Sequence, residues 1–280
     1  MKKINRRSFL AAAAVSAAAL ALTACGGSAS TASSAAASSV AASSEAASTS
    51  AAAAELTTVE AGKLTMATNA AFPPYEMTTD AGEFEGIDID TAKAIAEKLG
   101  LELQIDDMDF DAALLSVQQG KADIVMAGVT VTDERKAVMD FSDSYATGIQ
   151  SIIVPEGSDI ASPDDLAGKK IGTQRGTTGY IYCSDDFGDE NVVAYDDGLT
   201  AVQALNNGQV DAVVIDNAPA QEFIAANPGL KILDTSYAEE DYAIGMAKNS
   251  PLEDAVNSVL EELKADGTLQ AIVDKYITAE

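Results

Sequence analysis

The sequence contains no histidine, no tryptophan, two cysteines and only 5% aromatic residues. Each shortage narrows what the chain can do. Without histidine it lacks the side chain whose ordinary pKa lies nearest neutrality, so the usual base partner for a serine or cysteine nucleophile is missing. Cations are scarce too: 17 Lys and Arg face 44 Asp and Glu, a formal net charge of −27. Nucleic acid is thereby a poor partner, because phosphate binding needs a basic surface. No cofactor and no metal is expected. The one long apolar run, Phe9–Leu22, is far shorter than the ~20 residues that span a bilayer, which argues against a permanent transmembrane helix.

That run belongs to an N-terminal segment of its own kind. Lys2, Lys3, Arg6 and Arg7 precede it and Leu22-Thr23-Ala24-Cys25 follows, the order of a secretion signal: basic head, apolar stretch, small residues. The Leu-Thr-Ala-Cys sequence resembles the lipobox of bacterial lipoproteins. That resemblance implies removal of residues 1–24 and acylation of Cys25, leaving the protein extracytoplasmic and anchored to the cell membrane. Arg6-Arg7 also leaves open a twin-arginine export route. From residue 25 to 55 the chain is almost wholly Ser, Ala and Thr. Such a segment buries too little surface to offset its ordering entropy and is expected to be a flexible tether with a reach of about 30 Å. Loss of the four signal cations leaves 13 Lys and Arg against 44 acids, a net charge of −31. With Cys25 acylated, Cys183 has no intramolecular disulfide partner and reads as a structural thiol.

The remaining 56–280 alternates strand and helix signals. Leu64–Thr68, Leu101–Ile105 and Asp123–Met126 read as strands, with helices at Ala92–Leu99 and Asp111–Gln119 that end at Gly100 and Gly120. A second series follows: strands at Lys170–Gln174, Asn191–Tyr195 and Asp211–Ile215, and a helix at Leu199–Asn207 stopped by Gly208. Helices at Pro251–Lys264 and Thr268–Tyr276 close the chain and are expected to pack on the first lobe. Residues 116–125, SVQQGKADIV, are matched by 204–213, ALNNGQVDAV. Two related α/β lobes, each a mostly parallel sheet flanked by helices, fit this pattern. Ligands of open α/β sheets bind beyond the carboxyl ends of the strands, so facing lobes would enclose a small molecule there.

Several residues at those strand ends carry useful chemistry. Gly128-Val129-Thr130 is a polar loop, and Thr130–Arg135 puts Arg135 in the first turn of a helix, where its charge opposes the macrodipole. A guanidinium placed there against helix stability suits bidentate capture of a carboxylate, with Thr130 adding donors; a solvated surface arginine is the alternative. Gly176-Thr177-Thr178-Gly179 forms an anion-accepting turn. Asp216 ends a strand and suits either a ligand ammonium or the cap of a helix expected to begin at Pro219.

Residues 126–145, MAGVTVTDERKAVMDFSDSY, and 86–100, GIDIDTAKAIAEKLG, resemble the amino-acid-binding importer proteins of extracellular solute-binding family 3, nearest the glutamine-binding type. The resemblance implies a two-lobed, hinged, periplasmic-binding-protein-like fold of type II. Lobe one would comprise 56–147 and 245–280 and lobe two 148–244, with hinge strands near Tyr145–Ile149 and Glu240–Ile244. It implies a monomer that feeds a free amino acid to the permease of an ABC importer. It also implies Arg135 and Thr177 as carboxylate contacts, Asp216 as the ammonium acceptor, and Phe72 and Phe110 as aromatic walls. Asn69 and Gln174 stand where glutamine binders carry an acid and a lysine, which leaves a neutral pocket suited to a polar, uncharged side chain. Two rivals remain: a cyclohexadienyl-dehydratase-like enzyme on the same fold, and a sensing lipoprotein that acts through a partner receptor.

Overall fold

A computed structural model describes residues 56–277. Cys25, the signal segment and the Ser/Ala-rich stretch lie outside the described residues.

Strand Lys63–Thr68 is an inner strand of the first sheet, and its side chains alternate between two apolar layers. Leu64 and Met66 face a core built with helix Ile87–Leu99 and with Val256, Leu260 and Leu263 of the C-terminal helices. Ala67 faces the opposite layer, against Phe110, Ala113 and Val117 of helix Phe110–Gln118. A strand covered on both faces has no solvent side, and Leu64 to Thr68 are accordingly all buried, Thr65 and Thr68 included. Its neighbours Glu102–Asp107 and Ile124–Val125 run parallel to it. Helix Ile87–Leu99 stops where Gly100 turns left-handed at φ 71°, donating to the Ala96 and Glu97 carbonyls.

The second sheet repeats the plan. Strand Ala212–Asp216 places Val213 and Ile215 on one apolar layer and Ala212 and Val214 on the other. Ile171–Gln174 runs parallel to it and Val192–Tyr195 runs parallel to Ile171–Gln174. The internal sequence match has a hydrogen-bond basis. Gly120 and Lys121 donate to the Val117 and Ser116 carbonyls, as Gly208 and Gln209 donate to those of Leu205 and Ala204. Asp123 then accepts from the Thr65 N–H at 2.8 Å and Asp211 from the Lys170 N–H at 2.7 Å. In both places a left-handed glycine ends the helix and an aspartate ties the incoming strand to its neighbour.

Each sheet thus holds three parallel strands, and the chain that passes between the sheets adds antiparallel ones. Strand Ala146–Pro155 leaves the first sheet and pairs antiparallel with Ala212–Asp216 in the second. The return strand, Ala238–Tyr242, lies antiparallel along it from Ala238↔Gln150 to Tyr242↔Ala146 and leads into Gly245–Ala247 of the first sheet. The passages therefore run side by side. Most element ends differ from the sequence reading by one or two residues; the largest shift is in the first helix, which begins at Ile87 and not at Ala92. Pro251 precedes helix Glu253–Ala265 instead of opening it, since Leu252 occupies the cap position. Among the described residues no helix is long and apolar enough to cross a membrane.

Candidate functional site

The parallel strands of both sheets end at one enclosed space, and Asn69, Phe72, Phe110, Gly128, Thr130, Arg135, Gln174, Thr177 and Asp216 all line it. The first sheet supplies the loops after Lys63–Thr68, Glu102–Asp107 and Ile124–Val125. The second supplies those after Ile171–Gln174 and Ala212–Asp216.

Arg135 is the third residue of the short helix Asp133–Lys136, which Thr132 caps by accepting the Arg135 N–H at 3.2 Å. Arg135 is 8% exposed, and its guanidinium stands 5.4 Å over the Phe110 ring. It donates to the Thr130 carbonyl at 2.7 Å and, from the other sheet, to the Gly176 carbonyl at 3.2 Å. Burial lowers its pKa and the nearby Glu240 carboxylate opposes that effect. Arg135 is therefore a buried cation, not a solvated surface arginine. Buried Glu240 also accepts from the Thr130 hydroxyl and from Gln150 Nε2, each at 3.0 Å. The Thr130 hydroxyl is thus committed to the protein, because a buried carboxylate draws donors to itself.

Asp216 does two things at once. One carboxylate oxygen caps helix Asn217–Ala226 by accepting the Ala218 N–H at 3.0 Å. The other accepts the Ile149 N–H at 2.7 Å and the Tyr242 hydroxyl at 2.9 Å, so both passage strands are tied to it. Burial pushes its carboxyl up to about 6, against the pull of these donors. The capping alternative is thereby observed, and the same group still faces the enclosed space.

The remaining residues sort by how they are held. Phe72 stacks on Tyr75 at 5.8 Å and Tyr75 meets Tyr242 edge-on at 5.4 Å, which makes an aromatic wall of three rings. Gly128 has φ 55°, and a Cβ there would stand 2.9 Å from the Phe72 ring, so glycine lets that ring close in. Its N–H goes to Asp88 at 3.0 Å. The Thr177 hydroxyl caps its own helix, Thr178–Phe187, accepting the Tyr180 N–H at 3.3 Å and donating to the Gln174 carbonyl at 2.8 Å. Gln174 Nε2 donates across the cleft to Asn69 Oδ1 at 2.8 Å. The two neutral amides therefore meet directly.

Sequence reading missed Glu76, Gln150 and Tyr242, which also line the space, as does Thr178 of the Gly176–Gly179 turn. Glu240 and Tyr242 were legible in principle: strand Ala238–Tyr242 alternates, and its inward positions are 240 and 242. The enclosed volume is only about 30 Å³. That is room for about two waters, and no amino acid enters unless the sheets part.

Two sheets joined by adjacent strands, with buried groups of opposite charge converging on the space between them, define a cleft-binding protein for a small zwitterionic or polar solute. The chain belongs to the bacterial extracellular solute-binding proteins, family 3, whose model matches residues 64–279. It is 32% identical to the L-cystine-binding protein TcyJ of Escherichia coli (strain K12) over 226 residues, 79% of this chain and 85% of that one. An ancestral arginine-binding protein, solved bound to glutamine, is 42% identical with a TM-score of 0.75, covering 79% of this chain and 100% of that one. The amino acid ABC transporter substrate-binding protein AbpA from Streptococcus pneumoniae, solved bound to L-arginine, is 37% identical with a TM-score of 0.73, covering 77% and 94%. The chain is accordingly a solute-binding protein and not an enzyme, which sets aside the dehydratase alternative.

Proposed function

We propose that this protein captures one free α-amino acid outside the cytoplasm and hands it to the permease of an ABC importer. One observation carries the reading: Arg135 and Asp216, a buried cation and a buried acid on facing loops, open on the same space. A free amino acid bears a carboxylate and an ammonium on one carbon, and these two residues match that pair. The names of the relatives above support the ligand class. Residues 56–147 with 245–280 form one lobe in this reading and 148–244 the other, turning about Tyr145–Ile149 and Glu240–Ile244. Closure selects the loaded form. Thr177, at the start of helix Thr178–Phe187, adds the second lobe's grip on the carboxylate, and Cys25 tethers a monomer to the membrane.

For the side chain we infer a polar, uncharged group, supported by the neutral Asn69–Gln174 pair. A second reading, a cationic side chain, is favoured by Glu76, a fully buried acid without a hydrogen-bond donor on either oxygen. Isothermal titration against glutamine, serine, asparagine and arginine decides between them. Glutamine is expected to bind; tight arginine binding with no response to the three uncharged ligands overturns the first reading.

Gly148 offers a test of the head-group site at one remove. A Cβ added there would lie 2.5 Å from the Tyr242 hydroxyl and 2.7 Å from Asp216 Oδ2. Overpacking of this kind costs about 1–3 kcal/mol of folding stability, so Gly148→Ala is expected to lower the melting temperature and, by displacing Asp216, to weaken glutamine binding by calorimetry. A Kd within twofold of wild type would separate Asp216 from ligand binding.

A further inference from the structure

Glu76 is an anomaly that the head-group reading leaves unused. It is 0% exposed, it lines the cleft, and neither carboxylate oxygen has a hydrogen-bond donor. Beside it stands another acid, Asp88, in the first turn of helix Ile87–Leu99 and also 0% exposed, whose N–H donates to the Tyr75 carbonyl at 2.9 Å. Asp88 is half satisfied. Its Oδ2 accepts the Gly128 N–H at 3.0 Å and the Tyr145 hydroxyl at 2.8 Å, while Oδ1 has no donor. Each carboxyl group acts on the proton affinity of the other. Two ionised carboxylates are acceptors only, so a contact between them at zero exposure is repulsive unless one carries a proton.

We propose that Glu76 and Asp88 share one proton in the ligand-free cleft, and that a cationic ligand side chain displaces it whereas a neutral amide leaves it in place. The proposal rests on the amino-acid reading of the site. The proton sits on Glu76, since Asp88 already receives two donors and is the better-stabilised anion. Glu76 then donates to Asp88 Oδ1, which accounts for an oxygen on each residue. Its surroundings reinforce this. Asp107 at the end of strand Glu102–Asp107 and Asp216 from the other sheet both disfavour a charge on Glu76, as does Asp88 itself, and burial is the largest influence of all. The Tyr75 and Tyr145 rings close the site, and both hydroxyls are themselves held neutral by burial.

When a guanidinium or ammonium enters, Glu76 loses its proton to solvent and keeps the electron pair as a carboxylate facing the new cation. One positive charge leaves as another arrives, so the net buried charge is unchanged, and the cation offsets the repulsion between the two carboxylates. With glutamine the protonated carboxyl remains a neutral hydrogen-bonding partner. Glu76 thus sets which side chains the cleft accepts, and does so as a function of pH.

The test is calorimetry on the wild-type protein at pH 7.5 in buffers of different ionisation enthalpy, with arginine and with glutamine. Both ligands share the α-carbon head, so any proton taken or released at Asp216 cancels in the comparison. About one more proton is expected to leave on binding arginine than on binding glutamine, with arginine affinity rising up to tenfold per pH unit where Glu76 is protonated. In Glu76→Gln the difference in protons is expected to vanish and arginine to weaken at least tenfold, with glutamine within threefold. Should Glu76→Gln fail to fold, the wild-type difference decides. Equal proton release for the two ligands, or binding of glutamine alone, overturns the proposal and leaves the amino-acid reading intact. Binding of neither ligand overturns both.

Discussion

Arg135→Ala is expected to bind glutamine about 30- to several-thousand-fold more weakly than wild type, the ~2–5 kcal/mol that accompanies truncation of one member of a buried charge pair. Two effects add. The ligand carboxylate would close into a cleft without its bidentate donor, and Glu240 would lose the cation that now stands near it. Arg135→Lys separates these effects. A lysine keeps the charge for Glu240 but presents a point charge instead of a planar fork, so it should recover stability more fully than affinity. Thermal unfolding with and without glutamine reports both at once, because a ligand that binds only the native state raises its melting temperature. A Kd for Arg135→Ala within threefold of wild type would remove Arg135 from the binding site.

Asp216→Asn is expected to cost a comparable factor, again ~2–5 kcal/mol, by taking the negative charge from the ammonium site while preserving shape. The amide would still cap helix Asn217–Ala226 through its oxygen. Its NH₂ would face the Ile149 N–H and the Tyr242 hydroxyl, both of which now donate to Asp216. The wild-type pH profile tests the same group without mutation. The ligand-free carboxyl titrates at about 6. Above that it is ionised and ready for an ammonium; below it, the ligand must expel a proton first. Glutamine affinity should therefore be flat from pH 7 to 8 and fall up to tenfold for each pH unit below about 6. A flat profile down to pH 4.5, or an Asp216→Asn protein with wild-type affinity, would assign the ammonium elsewhere.

The sequence reading reached this site because strand ends are legible. Asn69, Gly128, Gln174 and Asp216 each lie at or just beyond an apolar run, and a parallel sheet brings all such ends to one side. Arg135 was legible for a different reason: its charge sits where a short helix gains nothing from it. What local reading could not supply was the far partner. The Thr130 hydroxyl turns to Glu240 110 residues away. Glu76 becomes a problem only once the helix beginning at Ile87 sets Asp88 against it. The passage strands were equally hidden, since their pairing links residues 146–150 to 238–242 and no periodicity within either segment reveals the other. Glycine-stopped helices, by contrast, carry their own signal, which is why the two halves could be matched by eye.

Asp216 has three donors, and their loss would loosen a helix start and both passage strands together. Mutational drift at that position meets a folding penalty before it can alter taste. Asn69 and Gln174 are tied mainly to one another and to single backbone carbonyls, those of Met108 and Asp196. A paired change there disturbs little else. On the proposed reading of the site, a lineage descended from this chain can therefore change its diet at one end of the ligand while inheriting the other end unaltered, and a laboratory library aimed at new cargo should begin with those two positions.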